Sequence, residues 1–168
     1  MTDSNGISVV RTPVWIEHIR IVSKKSFDQV KAKIEKLPHF DNGIRKILRD
    51  GDVVRVKKEL ERLQGSAGLI IFSVATHGDW LAIRGGSRHA LQYVIGNVLI
   101  SSEMTKHQLP AGLYAPLRIM LYENEEGTAT LEYDRPSDLF GQFNDDRVTS
   151  VAEHLDQQIY DCLVAAAA

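Results

Sequence analysis

Apolar residues change their spacing along this chain, and each change marks an element. Over Val14 to Val22 (VWIEHIRIV) β-branched residues dominate, which predicts a first strand. From Phe27 the apolar positions become Phe27, Val30, Ile34 and Leu37, one face of a helix, and Pro38 ends the run. Ser26 and Gln29 in front of it form a capping box, in which hydroxyl and amide satisfy free N–H groups. HFDNGIRKILRDGD is turn-rich, with room for a short helix over Ile44 to Leu48. Asp52 then caps a helix with Val53, Val56, Leu60 and Leu63 on one face, and Gly65 closes it. Its Lys57, Lys58, Glu59, Glu61 and Arg62 make a solvated face.

Gly68 to Ala75 (GLIIFSVA) is a short, nearly continuous apolar run bounded by glycine, the pattern of a central strand. Ala90 to Gly96 reads as another strand, although a helix is nearly as compatible with so short a run. Residues 98 to 107 predict a short helix, and Leu117 to Glu123 with Thr128 to Asp134 predict paired strands. A last helix places Val148, Val151, Leu155, Ile159 and Cys162 on one stripe. Residues 1 to 12 are polar and unpatterned, the expectation for a loose tail, which leaves 13 to 168 as a single domain. Repeats, heptads and low-complexity stretches are absent from the sequence.

The paired strands carry their own register. In Asn124-Glu125-Glu126-Gly127 a type I turn followed by a left-handed glycine gives a three-residue loop with a bulge. Asn124 then lies opposite Thr128, Leu121 opposite Leu131 and Ile119 opposite Tyr133, so the apolar residues of both strands share a face. The other face pairs Tyr122 with Thr130, Met120 with Glu132 and Arg118 with Asp134.

Composition narrows the function classes. A chain of 168 residues suits one domain with a real core. Its net charge of −2 provides no broad positive field, so neither nucleic acid nor an anionic membrane is an expected partner. Cys162 is the only cysteine, which excludes an internal disulfide and favours a reducing, cytoplasmic location. No apolar run approaches the ~20 residues needed to span a bilayer, and MTDSNGISVV lacks the pattern of a secretory signal.

Several stretches carry a family resemblance: Gly68 to Phe72, the His77-Gly78 pair, QYVIGN at 92–97, MTKH at 104–107, AGLYAPLRIMLYENEEG, and EYDRPSDLFGQF at 132–143. On these the chain resembles the domain-of-unknown-function 302 family, with a weaker match at Ile19 to Lys36. The Gly-Asn element together with the Gly-Leu-Tyr-x-Pro-Leu hairpin is the most specific part. Val98 departs from the pattern, since the family usually follows Gly-Asn with proline. The resemblance implies an α+β domain of β-α-β(4)-α type, similar to the TATA-box-binding-protein-like folds. About five antiparallel strands would pack on helices, with an inserted helical segment at about 41–64 and a tendency to form homodimers. It transfers no activity and no catalytic residues, and a fold alone implies none.

Candidate chemistry is sparse. His77, in Thr76-His77-Gly78-Asp79 at a strand end, could serve as a general base oriented by Asp79 or Glu123; a turn histidine with a structural hydrogen bond is the plainer reading. Arg84-Gly85-Gly86-Ser87-Arg88-His89 could bind an anion through backbone N–H groups and donors from Ser87, Arg88 and His89. It matches neither the phosphate-loop nor the dinucleotide pattern, and a Gly-Gly turn accounts for it as well. The six histidines show no two-ligand helical spacing, so neither a metal nor a cofactor is expected. Cys162 lies on an apolar stripe and Ser137 lacks the context of a nucleophile.

There remain Tyr93, Tyr114, Arg118, Tyr122, Tyr133 and Asp134, with Trp80 nearby in strand order. Aromatic walls with a few polar groups suit a pocket for a small, partly apolar or aromatic molecule. They suit a dimer interface equally well. Three functions therefore stand open. One is a homodimer that binds a small organic ligand between the sheet and its helices. The others are a cofactor-independent acid/base enzyme of isomerase, cyclase or lyase type using His77 or a tyrosine, and a dimeric interaction module.

Overall fold

Alternation of side chains along five strands builds one antiparallel sheet, described by a computed structural model for residues 6–168. In chain order the elements are β1 (His18–Val22), α1 (Phe27–Ile34), α2 (Gly43–Arg49), α3 (Val53–Gln64), β2 (Ile70–Ala75), α4 (His77–Trp80), β3 (Ala90–Gly96), α5 (Val98–Thr105), β4 (Leu117–Glu123), β5 (Ala129–Asp134), α6 (Pro136–Gly141) and α7 (Asp146–Ala167). Short 3₁₀ turns at Leu81–Arg84 and Leu109–Leu113 precede β3 and β4. The sheet order is β1-β5-β4-β3-β2. This is the expected α+β arrangement, with α2 and α3 as the inserted helical segment.

Local signals in the sequence account for most boundaries. Ser26 and Gln29 form the capping box of α1, and the Asp52 carboxylate accepts from the Arg55 N–H at 3.0 Å to start α3. Asn97 caps α5, its side-chain oxygen accepting from the N–H groups of Leu99 and Ile100. Val98 is thus the first residue of a helix, a position that proline tolerates because its missing N–H has no partner there anyway. The family's proline and this valine are interchangeable in backbone terms.

Three expectations are corrected in detail. β1 begins at His18, not Val14, because only from there does the chain pair with β5. The stretch after β2 turns back through α4 and a 3₁₀ turn, where sequence periodicity had shown no element. Gly78 permits this: a Cβ there would meet the Arg88 carbonyl oxygen at 2.1 Å. Pro136 opens α6, also unforeseen, as a first-turn proline. Of the expected tail, residues 1–5 lie outside the described residues, and residues 6–13 are exposed.

The core lies between one sheet face and the helices α1 and α7. Ile119, Leu121, Leu131, Tyr93 and Ile95 meet Val30, Ile34, Phe140, Ala152 and Ile159 there, all of them buried. The opposite face presents His18, Arg20 and Val22 of β1, Glu132 and Asp134 of β5, Met120 and Tyr122 of β4, and Gln92 and Val94 of β3. Each of these is exposed or half-buried. A smaller cluster around Ile44, Val56 and Leu60 holds α2 and α3 together. No helix among the described residues is long and apolar enough to cross a membrane.

Candidate functional site

The β4–β5 hairpin is closed at one end and open at the other. Its register is the expected one, with Glu123 opposite Ala129, Tyr122 opposite Thr130, Leu121 opposite Leu131 and Met120 opposite Glu132. At that last pair the ladder stops. Beyond it Ile119 and Arg118 pair with Tyr93 and Val94 of β3, while Tyr133 and Asp134 pair with Ile19 and His18 of β1. The sheet therefore forks along its central seam. Arg118 and Asp134, expected to face each other across paired strands, stand on opposite walls of the fork.

A cleft of about 370 Å³ fills this fork. Its walls are Arg118 and Leu117 on one side and Asp134 with Ile16 on the other; Leu113, Tyr114, Pro116 and Leu139 close the remainder. Local packing holds Tyr114 in place. Its ring meets Phe140 edge-on at 6.2 Å and Phe143 at the same distance, and its hydroxyl donates to Gln142 at 3.4 Å. Leu113 is 70% exposed and gives the cleft an apolar rim.

A charged cluster adjoins the cleft on the open sheet face. His18 Nδ1 lies 2.8 Å from Asp134 and its Nε2 3.0 Å from Glu132. Arg20 Nε donates to Glu132 at 2.6 Å, and the Tyr122 hydroxyl donates to the same carboxylate at 2.7 Å. Desolvation works against the charge on Glu132, yet the bonds from Tyr122, His18 and Arg20 outweigh it and hold its pKa down at about 2. The hydrogen bond with Asp134, then that with Glu132, raises the pKa of His18. With both ring nitrogens on carboxylates, the imidazolium form is the one this geometry favours.

Across the cleft Arg118 is exposed and has no hydrogen-bond or ion-pair partner among the described residues. Its cross-strand neighbour is Val94, which offers no charge. Asp134 by contrast is engaged by His18. Arg118 is therefore the charge in the cleft that lacks a partner among the described residues.

Of the residues singled out from sequence, Tyr114, Arg118 and Asp134 come together here, and Tyr122 reaches the adjoining cluster through Glu132. The others are elsewhere. Tyr93 is fully buried and its hydroxyl donates to Glu35 at 3.2 Å; burial, then the Glu35 charge, pushes its pKa up. Tyr133 is buried with its hydroxyl unpartnered among the described residues, and burial followed by the charge of Asp156 pushes its pKa up to about 12. Trp80 and Arg84 are exposed in the α4 excursion. Arg88 donates to the Glu123 carbonyl at 3.1 Å, and His89 stacks on Phe27 with centroids 5.0 Å apart. His77 opens α4, exposed, with no hydrogen bond to either ring nitrogen among the described residues. The anion-binding reading of 84–89 meets a turn whose Gly85 has φ +73°.

Sequence reasoning missed His18, Glu132, Ile16 and Leu139. His18 and Glu132 share a face only once β1 is known to pair with β5, and nothing local announces that pairing. A second, smaller cavity of about 150 Å³ lies on the far side of Pro116, against Gly96, Asn97, Val98, Met104 and Leu155. Gly96 is needed there, since a Cβ would meet Pro116 at 3.0 Å.

Comparison with known proteins agrees with this architecture. The family model described as "Domain of unknown function DUF302" matches residues 46–166, well over half of the chain. The crystal structure of an uncharacterized conserved DUF302 protein from Bacillus stearothermophilus superposes with a TM-score of 0.64, covering 90% of this chain and 98% of that one at 15% identity. At that identity the likeness speaks for the fold alone. No curated protein matches the sequence.

Proposed function

The chain belongs to the DUF302 family, a domain of unknown function, and within it we propose a small-molecule-binding protein of the cytosol whose ligand occupies the forked cleft. The ligand is an organic molecule with an apolar or aromatic body. The observation that carries this reading is the cleft itself: about 370 Å³, with apolar side chains on its walls and a guanidinium on one wall that has no partner among the described residues. Leu113, Tyr114, Pro116, Leu117 and Asp134, all within the stretches of family resemblance, line it. A site between the sheet and its main helices has less support, because that interface is filled by fully buried side chains. A catalytic role through His77 has less support still, since His77 is absent from the cleft wall and no carboxylate orients its ring among the described residues.

Amide chemical-shift mapping with a small set of aromatic and aliphatic fragments tests the reading. Shifts confined to Leu113, Tyr114, Leu117, Arg118 and Leu139 support it. Shifts that gather instead in the smaller cavity near Gly96 and Ser101 would overturn it.

A second proposal concerns the homodimer. The open sheet face exposes Val22 at 61%, beside half-buried Met120, Tyr122 and Val94. A second copy laid on this face would cover those residues. The expected mass at micromolar concentration is twice that of one chain; a single-chain mass would end this proposal and leave the cleft untouched.

A further inference from the structure

We propose that the ligand of the forked cleft is a monocarboxylate, its head on Arg118 and its apolar body against Leu113, Leu117 and Leu139. This rests on the binding reading above and adds the chemical class. Three features of the cleft lead to it. The Arg118 guanidinium is held by β4 at the cleft wall, facing Val94 across the strands, and no carboxylate among the described residues takes it up. A guanidinium presents parallel N–H donors that match the two oxygens of a carboxylate, a fit a point charge lacks. Leu113, Leu117 and Leu139 beside it offer an apolar body a surface to pack on.

The opposite wall limits the charge. Asp134 stands there, and although His18 bonds one of its oxygens at 2.8 Å, the carboxylate remains half exposed. A dianion such as phosphate would meet this carboxylate at close range, whereas one carboxylate with an uncharged tail would not. An ammonium ligand is disfavoured by the same layout: it would lie near an unneutralised Arg118 in order to reach an Asp134 that already has a partner. At about 370 Å³ the cleft admits one ring with a short arm or a short acyl chain.

The test compares phenylacetate, phenylacetamide and inorganic phosphate by amide chemical-shift titration of the intact chain. The expected result is saturable shifts at Leu113, Arg118 and Leu139 with phenylacetate, and binding at least ~10-fold weaker for the uncharged amide and for phosphate. Arg118→Met keeps the apolar stem and should bring phenylacetate down to the level of the amide. Arg20→Met, on the same sheet face but outside the cleft, should leave the preference intact. Equal binding of acid and amide in the cleft would overturn the carboxylate inference while the cleft remained a binding site. Phosphate binding as tightly as phenylacetate would overturn it too, since charge alone would then suffice. Absence of cleft shifts with all three probes and with uncharged fragments would overturn both this inference and the binding reading beneath it.

Discussion

The two ends of the β4–β5 hairpin use similar residues to opposite effect. At the turn end Asn124 is saturated. Its amide donates to Thr128 and Thr130 at 2.9 and 3.2 Å, and its carbonyl oxygen accepts from the N–H groups of Glu126 and Thr128 at 3.0 Å each. Gly127 supplies φ +76°, and the Asn124 N–H closes the loop on Thr128 at 2.8 Å. At the open end the strands part, each keeping its outer neighbour, and Arg118 is left without a partner among the described residues. Polar groups at the turn satisfy one another; polar groups at the fork leave a charge for something else. Folding is served at the first end; the second is where the proposed ligand would bind.

The sharpest way to break this comparison is to damage both ends and measure stability. Gly127→Val forces a β-branched residue into the left-handed region. A Cβ there meets no atom within 4 Å, so the cost is backbone strain alone, about 1–3 kcal/mol. Asn124→Ala strips partners from two backbone N–H groups and from the hydroxyls of half-buried Thr128 and buried Thr130, with an expected cost of about 1–3 kcal/mol. Arg118→Met should change stability by less than about 0.5 kcal/mol, as an exposed side chain with no partner among the described residues to lose. Urea denaturation of the three variants checks this. A loss for Arg118→Met comparable to that for Asn124→Ala would show the open end to be structural after all.

A smaller effect sharpens the open end. Leu113 is 70% exposed yet lines the cleft, so Leu113→Asp should leave the urea midpoint almost unmoved. The same change sets a carboxylate at the mouth and should weaken binding of an apolar fragment by about 10-fold, near 1.4 kcal/mol. Unchanged affinity, measured by the same shift titration, would remove Leu113 from the site.

The contrast also explains what could be read from sequence. The turn end was legible residue by residue, because Asn-Glu-Glu-Gly specifies its own geometry and the alternating apolar residues fix the register behind it. The helix caps at Ser26, Asp52 and Asn97 are likewise local. The fork is not local. Its walls are set by the pairing of Ile119 with Tyr93 and of Tyr133 with Ile19, contacts between segments far apart in the chain. Tyr114, Arg118 and Asp134 could be named as residues of interest, but not the gap between them. Tyr93 and Tyr133, which looked alike in composition, went into the core because strand alternation aims them at α1 and α7. Ile16 sat in a predicted strand and Leu139 in a stretch of family resemblance, but nothing marked either as part of a site.

The smallest predicted effect concerns the charged cluster beside the cleft, and its sign follows from two opposite shifts. Glu132 is depressed from 4.5 to about 2, so the stability it contributes is present above pH 4.5 and is lost as pH falls through about 2. His18 is raised from 6.5, so its contribution is complete below pH 6.5 and is lost as pH rises through the raised value. Between pH 4.5 and 6.5 both contributions stand together, and the cluster stabilises the fold most there. The amount is modest: the side chain of His18 is 53% exposed, so solvent screens its two carboxylates and the pair energies stay below about 1 kcal/mol. Urea midpoints at about pH 5.5 and about pH 8.5 should therefore differ slightly in favour of the lower pH. In His18→Asn that difference should shrink, because asparagine cannot take the charge. Added salt should shrink it in the original chain too, since exposed charges are screened. A difference that persists undiminished in His18→Asn would place the titrating group elsewhere. Loss of the imidazolium would also free Asp134 on the cleft wall, so raising the pH should weaken carboxylate binding at Arg118 without moving the turn end.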